Sequence, residues 1–526
     1  MLDKISGYIM LSWGVPRFVI AFGAGAVLNL ALAPIHFFAI IFISFPILIW
    51  LLDGASGQPD KGLINRQIPA FFSGWSFGFG YFVGGLWWLA NAVITGGDGA
   101  YWAVPFAIFG LPAFLAIFFG CATAFARMFW KDNISRILLL SASLGIFEFL
   151  RGHIFTGFPW NTLGYLSMPS PIAMQSVEIV GIYGMTILTV VVASTPALFA
   201  TKTGLKTGLF ISSILITLHV GYGLIASHFN GPETTSSHIV RIVQPSINQS
   251  EKWDTTKREE IFETYLKLTA DDEAEGSERP SIIIWPETSV PYILTKTPDA
   301  LAQIADTLEL GQTLIVGAVR LEGDGLNPTD KYYNSIHVID DEGQILDSAD
   351  KAHLVPFGEY LPFEKFARNI GLTPLAETFG GYTAATGQKT LKLRDGTELL
   401  PLICYEAIFP AYTGDNQTTA QFIVNVTNDA WYGISPGPYQ HLQQAQARSI
   451  ESGLPMLRAG NNGISAVIDN RGSILSGMGL NFVGFIDHSV PPKRGTIWSE
   501  QSRIYAFLLI LALIGVVILR MHLQRR

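Results

Sequence analysis

Charge is scarce in this chain of 526 residues: Asp, Glu, Lys and Arg make up 14% of it, against roughly 25% in an average soluble domain. The deficit is uneven. Residues 1–230 are apolar with sparse charges, whereas residues 231–497 have the composition of a soluble protein and are the source of the net charge of −8. No basic run of the kind that tracks phosphates occurs, which argues against a nucleic-acid partner. Cysteine is nearly absent, with Cys121 and Cys404 the only two. So far apart, they form neither a disulfide framework nor a metal cluster. Cys121 lies inside the apolar run IFFGCATAF and reads as a small buried filler.

Apolar length is what the chain has in abundance. A spanning helix needs about 20 mostly apolar residues. Seven segments before residue 230 approach or exceed that length: 12–32, 35–52, 70–92, 102–126, 136–150, 178–200 and 207–227. An eighth lies near 504–519. The fifth is short. The first is too long, and too closely followed by others, for a cleaved signal peptide. Lys and Arg fall in alternate connections: Lys4, then Lys61 and Arg66, then Arg127, Lys131 and Arg136, then Lys202 and Lys206, then Arg520, Arg525 and Arg526. The positive-inside rule then places both termini in the cytoplasm. Residues 231–497 fall on the far side of the inner membrane, the periplasm of a Gram-negative cell, and residues 498–526 form a last helix and a cytoplasmic tail.

One connection stands out, EFLRGHIFTGFPWNTLGY, from Glu148 to Tyr165. Gly157 and Pro159 do not continue a helix comfortably. Two readings fit: an interfacial or re-entrant segment with Trp160 at headgroup level and Arg151 on a lipid headgroup, or an internal pairing of Glu148 with Arg151, three residues apart on a helix.

From His238 onward short β-rich runs recur, among them IVRIVQ, SIIIWPE, TLIVGAV, NSIHVID, PLICYE, FIVNVTND and ISAVID. Helical stretches such as KREEIFETYLKLTADD and PDALAQIADTLELG alternate with several of them. Continuous apolar strands imply sheets buried on both faces, and their alternation with helices implies an α/β layered domain. Such domains put their chemistry at strand ends. Glu287 follows SIIIWP, Lys351 follows GQILDSAD, and Cys404 follows LLPLI. A thiol is a nucleophile as thiolate. A carboxylate can take its proton, and a lysine can stabilise the thiolate and a developing oxyanion. Singly, each residue has a bland reading, as a cap, a surface charge or a core filler. Together, in this order, they form a complete acyl-transfer set. His353 and His441 are the histidines nearest these motifs.

The motifs WPET with Glu287, DKAHLVPFGEYLP with Lys351 and Glu359, and CYEAIFP with Cys404 resemble the nitrilase superfamily of carbon–nitrogen hydrolases. YYNS at Tyr332–Ser335, NVTNDAWYG at Asn425–Gly433 and RAGNNGISAVID at Arg458–Asp469 extend the resemblance. With seven spans before the domain and one after, it narrows to the membrane-embedded branch, the apolipoprotein N-acyltransferases. The resemblance implies a helical membrane bundle of about eight spans joined to an αββα sandwich. It implies Glu287 as general base, Lys351 as stabiliser of the tetrahedral intermediate and Cys404 as nucleophile. Glu359, Tyr405 and Glu406 would support the site, the Tyr405 N–H as an oxyanion donor. Trp253, Trp431, Asn334, Phe357 and Phe363 would touch substrate.

The implied reaction moves an acyl chain, typically from sn-1 of phosphatidylethanolamine, through a Cys404 thioester to the α-amine of an S-diacylglyceryl-cysteine on a lipoprotein. It calls for no metal or diffusible cofactor and no oligomer beyond a monomer. Water competes with the amine, so a dry site is required. The Phe-, Leu- and Gly-rich stretch after Val355 could serve as a mobile arm, with Phe357, Phe363, Phe366 and Leu372 against lipid or against ordinary core. WYGISPGPYQH could flank the entrance. Two other readings use the same sequence. A membrane-anchored amidase with water as acceptor would need one anchor rather than seven preceding spans. A transporter with an outer domain would place ionisable residues within its spans, where Glu148 is the main example.

Overall fold

The computed structural model describes residues 2–57, 60, 62–95, 98–228, 238–252, 254–271, 279–327, 330–362, 381–410, 419–494, 496 and 499–523. The chain divides into two compact units. One comprises residues 1–230, 435–443 and 498–526, the other residues 231–434 and 444–497.

The first unit is helical. Among the described residues, six helices are long and apolar enough to cross a membrane: Gly14–Ala31, Tyr101–Met128, Ser135–Thr156, Val177–Thr201, Leu205–His228 and Gln501–Leu519. A bent pair, Asn65–Leu86 and Leu89–Thr95, with 50° between its halves, makes a seventh if the two halves are counted as one span. The segment expected at 35–52 is a shorter apolar helix, Phe38–Asp53. It opens with a 3-10 turn at Phe38–Ile40 and carries Pro46, which removes one helical N–H donor. The segment read as short, 136–150, instead forms a helix of 22 residues. Its apolar run stops at Arg151, but the helix does not, because Arg151 finds its counter-charge inside the protein.

That pairing settles the Glu148–Tyr165 connection. Arg151 is 1% exposed and lies 3.3 Å from Glu148. It donates to the carbonyls of Phe158 and Trp160. Glu148 in turn accepts from Leu163 N at 3.1 Å and from the Thr186 hydroxyl at 2.7 Å. The expectation of Trp160 at headgroup level is corrected. Its indole is buried, its ring centroid lies 5.0 Å from that of Trp88, and its N–H donates to Gln440 Oε1 at 2.9 Å. A buried arginine stripped of its carboxylate would cost about 3–5 kcal/mol, so the carboxylate and the loop carbonyls fold this connection inward. Arg136, one of the loop cations, is likewise buried. It bonds Asp53 at 3.0 Å and Asp132 at 2.7 Å. Two helices pack main chain to main chain: a Cβ on Gly25 would fall 1.8 Å from Phe77 O, and one on Gly80 2.0 Å from Phe22 O. Small residues permit such contact between helices in lipid.

Among its described residues, the second unit has two sheets. Its strands are β1 (Ile239–Gln244), β2 (Ile282–Trp285), β3 (Thr313–Glu322), β4 (Lys331–Asp340), β5 (Ile345–Asp350), β6 (Leu391–Lys392), β7 (Glu398–Ile403), β8 (Phe422–Thr427), β9 (Met456–Gly460), β10 (Ser465–Ile468), β11 (Ile474–Met478) and β12 (Gly484–Ser489). One six-stranded sheet runs β12-β1-β2-β3-β4-β5, the other β11-β10-β9-β8-β7-β6. Alternation within each strand explains the layers. Ile282 and Ile284 join Val240, Ile242, Ile336 and Val338 in a core shared with Leu399, Ile403, Val424, Val426 and Leu457 of the other sheet. Ile283 and Trp285 point the opposite way, against Ile261, Phe262 and Tyr265 of helix Arg258–Ala270 and Ile304 of helix Pro298–Thr307. Both faces of β2 are therefore dry, which is why it reads as unbroken Ile and Trp.

Candidate active site

Three strand ends meet at one buried cluster. Glu287 follows β2, Lys351 follows β5 and Cys404 follows β7, and they are 6%, 1% and 6% exposed. Lys351 Nζ lies 2.8 Å from Glu359 Oε1 and 3.5 Å from Glu287 Oε1. Asn334, on β4, fixes both carboxylates: its Nδ2 donates to Glu287 at 2.7 Å and to Glu359 at 2.9 Å. Its carbonyl accepts the Lys351 N–H at 2.8 Å. Expected to touch substrate, Asn334 thus spends its amide N–H groups on the cluster. Glu359 is itself held by the Val355 N–H at 2.8 Å. Room for the Glu287 turn comes from Gly317 on β3, where a Cβ would lie 2.4 Å from Pro286 O and 2.7 Å from Glu287 Cα.

Cys404 has φ +50° and opens a 3-10 helix, Cys404–Ile408, straight from the end of β7. A non-glycine residue in this region costs of order 1 kcal/mol and persists where its surroundings hold it. Glu406 does much of the holding. Its carboxylate accepts Ile403 N at 2.8 Å, Ala352 N at 2.8 Å and His353 N at 3.0 Å. One side chain thereby ties the residue before the thiol to the residue after the lysine. Burial pushes Glu406 up to about 7, and the three N–H groups and Lys351 oppose that rise. Tyr405 turns its ring onto Phe409, centroids 5.0 Å apart, with the His353 ring 4.0 Å from Phe409.

Burial and the charge of Glu287 push the Cys404 thiol up to about 12, against the pull of Lys351. The resting group at neutral pH is therefore a thiol beside a base rather than a standing thiolate. Burial alone would lower Lys351, but Glu359, Glu287 and Cys404 outweigh it and hold the ammonium well above the ordinary lysine range. The arrangement thus supplies a proton acceptor, a fixed cation and a nucleophile in one dry place.

Several neighbours carry no periodic signal in the sequence. The Thr427 hydroxyl bonds the Cys404 thiol and donates to Asp429 Oδ1 at 2.9 Å. Asp429 pairs with Arg458 at 2.7 Å, both fully buried, and Arg458 also donates to Asn425 Oδ1. Lys252 is 4% exposed and donates to the main-chain carbonyl of Glu287 at 2.9 Å. Other expected residues lie elsewhere. Phe357 is 58% exposed, and Trp431 is half-buried in the 3-10 turn Asp429–Tyr432. Trp253, Phe363, Phe366 and Leu372 lie outside the described residues. His441 packs on Trp160 in the helical unit. The string GISPG, Gly433–Gly437, has the spacing of a serine nucleophile elbow. A 3-10 turn rather than a strand precedes it, and Ser435 Oγ accepts the Gly437 N–H at 3.1 Å.

Fold and cluster together define a carbon–nitrogen hydrolase domain, and residues 239–496 match the family model for carbon-nitrogen hydrolase. Residues 24–195 match the family model described as the apolipoprotein N-acyltransferase N-terminal domain. Curated relatives agree along the whole length. The apolipoprotein N-acyltransferase of Rhizobium leguminosarum bv. trifolii is 47% identical over 98% of this chain and 98% of its own. That of Rhizobium etli is 48% identical with the same coverage. That of Brucella suis biovar 1 is 47% identical over 98% of this chain and 99% of its own. The chain belongs to the apolipoprotein N-acyltransferase family.

Proposed function

We propose that this chain is an N-acyltransferase that completes lipoprotein maturation. It moves an acyl chain, typically from sn-1 of phosphatidylethanolamine, to the N-terminal amine of an S-diacylglyceryl-cysteine. It works as a monomer in the inner membrane, with the catalytic unit in the periplasm and both termini in the cytoplasm. The observation that carries the reading is the convergence of Glu287, Lys351 and Cys404 in one buried cluster.

In the first step Glu287 takes the thiol proton as Cys404 Sγ bonds to the ester carbonyl carbon. The oxyanion forms beside the Lys351 ammonium and the Tyr405 N–H, donors worth several kcal/mol in a dry site. Collapse breaks the ester C–O bond. The proton held by Glu287 passes to the departing lysophospholipid oxygen, leaving a thioester. In the second step the amine attacks that thioester, Glu287 takes the amine proton, and the C–S bond breaks to return Cys404. A thioester is a suitable store because amines open it readily. The helical unit fits substrates that both live in lipid. Extracting an acyl chain costs about 0.8 kcal/mol per CH2, a cost that a membrane-mounted enzyme avoids. Glu359 and Asn334 keep Lys351 and Glu287 in register.

Intact-protein mass spectrometry after incubation with phospholipid tests the reading. The expected result is a fatty-acyl adduct on the native chain, labile to hydroxylamine, absent from Cys404→Ala, and discharged by a diacylglyceryl-cysteine peptide. Hydrolysis of small amides with no adduct would favour water as the acceptor and overturn it.

A further inference from the structure

We infer that Lys252 is a second cation of the active site, a positioning residue whose charge, with that of Lys351, supports the anionic form of Cys404. No family motif quoted above includes it, and three observations meet on it.

The first is burial with little local reason for it. Lys252 sits in a loop after β1, 4% exposed, and its only side-chain bond among the described residues is the one to the Glu287 carbonyl at 2.9 Å. An ammonium has three N–H donors, so two are left for other groups. A buried lysine whose task was only to hold a carbonyl would be an expensive choice, since a neutral amide could do the same without desolvating a charge.

The second is that the loop is clamped in place. Asn461 bonds both Ile247 N and Ile247 O, at 2.9 and 2.7 Å. Gln249 Oε1 accepts from Asn428 at 2.6 Å. The anchors lie next to Thr427 and Asp429, the neighbours of the thiol.

The third is the charge count. Among the described residues, Glu287 and Glu359 form ion pairs with one lysine, Lys351. Asp429 is matched by Arg458, and Glu406 is held by main-chain N–H groups. With Lys351 alone, two carboxylates and one ammonium leave one negative charge beside the thiol. That charge would oppose the thiolate and then the oxyanion. Lys252 brings the set of Glu287, Glu359, Lys351 and Cys404 to neutrality, before and after the proton moves from Cys404 to Glu287. Burial draws Lys252 down to about 8, while Glu287 and Cys404 hold it up, so the groups it serves also keep it charged.

The inference rests on the acyl-transfer reading only for what the thiolate attacks. Its test therefore needs no lipid. The full chain in detergent is treated with iodoacetamide, and alkylation of Cys404 is followed by peptide mass, apart from Cys121. Lys252→Gln keeps a donor for the Glu287 carbonyl but loses the charge. Lys252→Arg keeps the charge. Alkylation should slow about tenfold in the Gln variant, one pKa unit on the thiol, and Arg should restore it to within about threefold of the parent. Thermal unfolding checks each fold, and Lys252→Met is a second uncharged variant should Gln not fold. A Gln variant within twofold of the parent, or an Arg variant as slow as Gln, would overturn the inference. With phospholipid present, the loss should fall on kcat and not on KM. Absence of any acyl-enzyme in the parent would count against the acyl-transfer reading and leave the alkylation result standing.

Discussion

The two units treat buried charge differently. In the helical unit Glu148 and Arg151 are three residues apart, and their remaining contacts are loop carbonyls, a loop N–H and a hydroxyl. Arg136 is likewise answered by Asp132, four residues before it, and by Asp53, 83 residues before it. These charges shape a connection. In the sandwich unit the charges come from strand ends far apart in sequence. Glu287, Lys351 and Glu359 share one Asn334, and two N–H groups of Lys252 stay unspent among the described residues. A pair that answers itself stabilises a fold. A cluster gathered from a distance, with donors to spare, is equipped to receive charge from a substrate. Asp429–Arg458 shows that the sandwich also matches a buried carboxylate with a cation of its own.

The sharpest way to break this comparison is to remove a charge from each kind. Lys351→Met should lower acyl-enzyme formation per folded molecule by about 10^2–10^3-fold, the scale of losing a placed oxyanion donor. Timed mass spectrometry with phospholipid would show it, and a loss under fivefold would place Lys351 with the structural charges. Glu148→Ala should do the opposite. It strands a buried arginine at a cost of about 3–5 kcal/mol. The expected result is early unfolding in detergent, with acylation per folded molecule unchanged at low temperature. An unaltered melting curve would remove the distinction. The smallest effect concerns pH. With the Cys404 thiol pushed up to about 12, the thiolate fraction keeps rising throughout the neutral range. Alkylation by iodoacetamide should therefore climb about tenfold from pH 6 to pH 7, and less steeply above that, where Lys252, drawn down to about 8, loses its charge. A plateau in that window would mean a thiolate already formed at rest, and a cluster more positive than the charge count allows.

Much of this was legible in the sequence, for definite reasons. Membrane helices show as long apolar runs because lipid demands them, and β2 shows as unbroken Ile and Trp because both faces are dry. Glu287, Lys351 and Cys404 show because polar residues stand out against the strands they end. Legibility failed where the signal is contact rather than period. Lys252 lies in a polar loop like any surface lysine, and its burial depends on Asn428 and Asn461, about 180 and 210 residues later. Trp160 next to Pro159 has the look of an interfacial anchor, and only the Glu148–Arg151 pair turns it inward. The span at 35–52 counts as apolar enough, but counting cannot see a 3-10 opening.

The Glu406 clamp has a consequence for how the site is calibrated. Lys351 ends a strand of one sheet and Cys404 ends a strand of the other, so the spacing of nucleophile and cation depends on the thickness of the sandwich at that edge. Sheets pack about 10 Å apart because of the side chains between them. Ile336, Val338, Ile403 and Val424 are thus spacers as well as core, and the chemistry is tuned by the girth of residues that never meet the substrate.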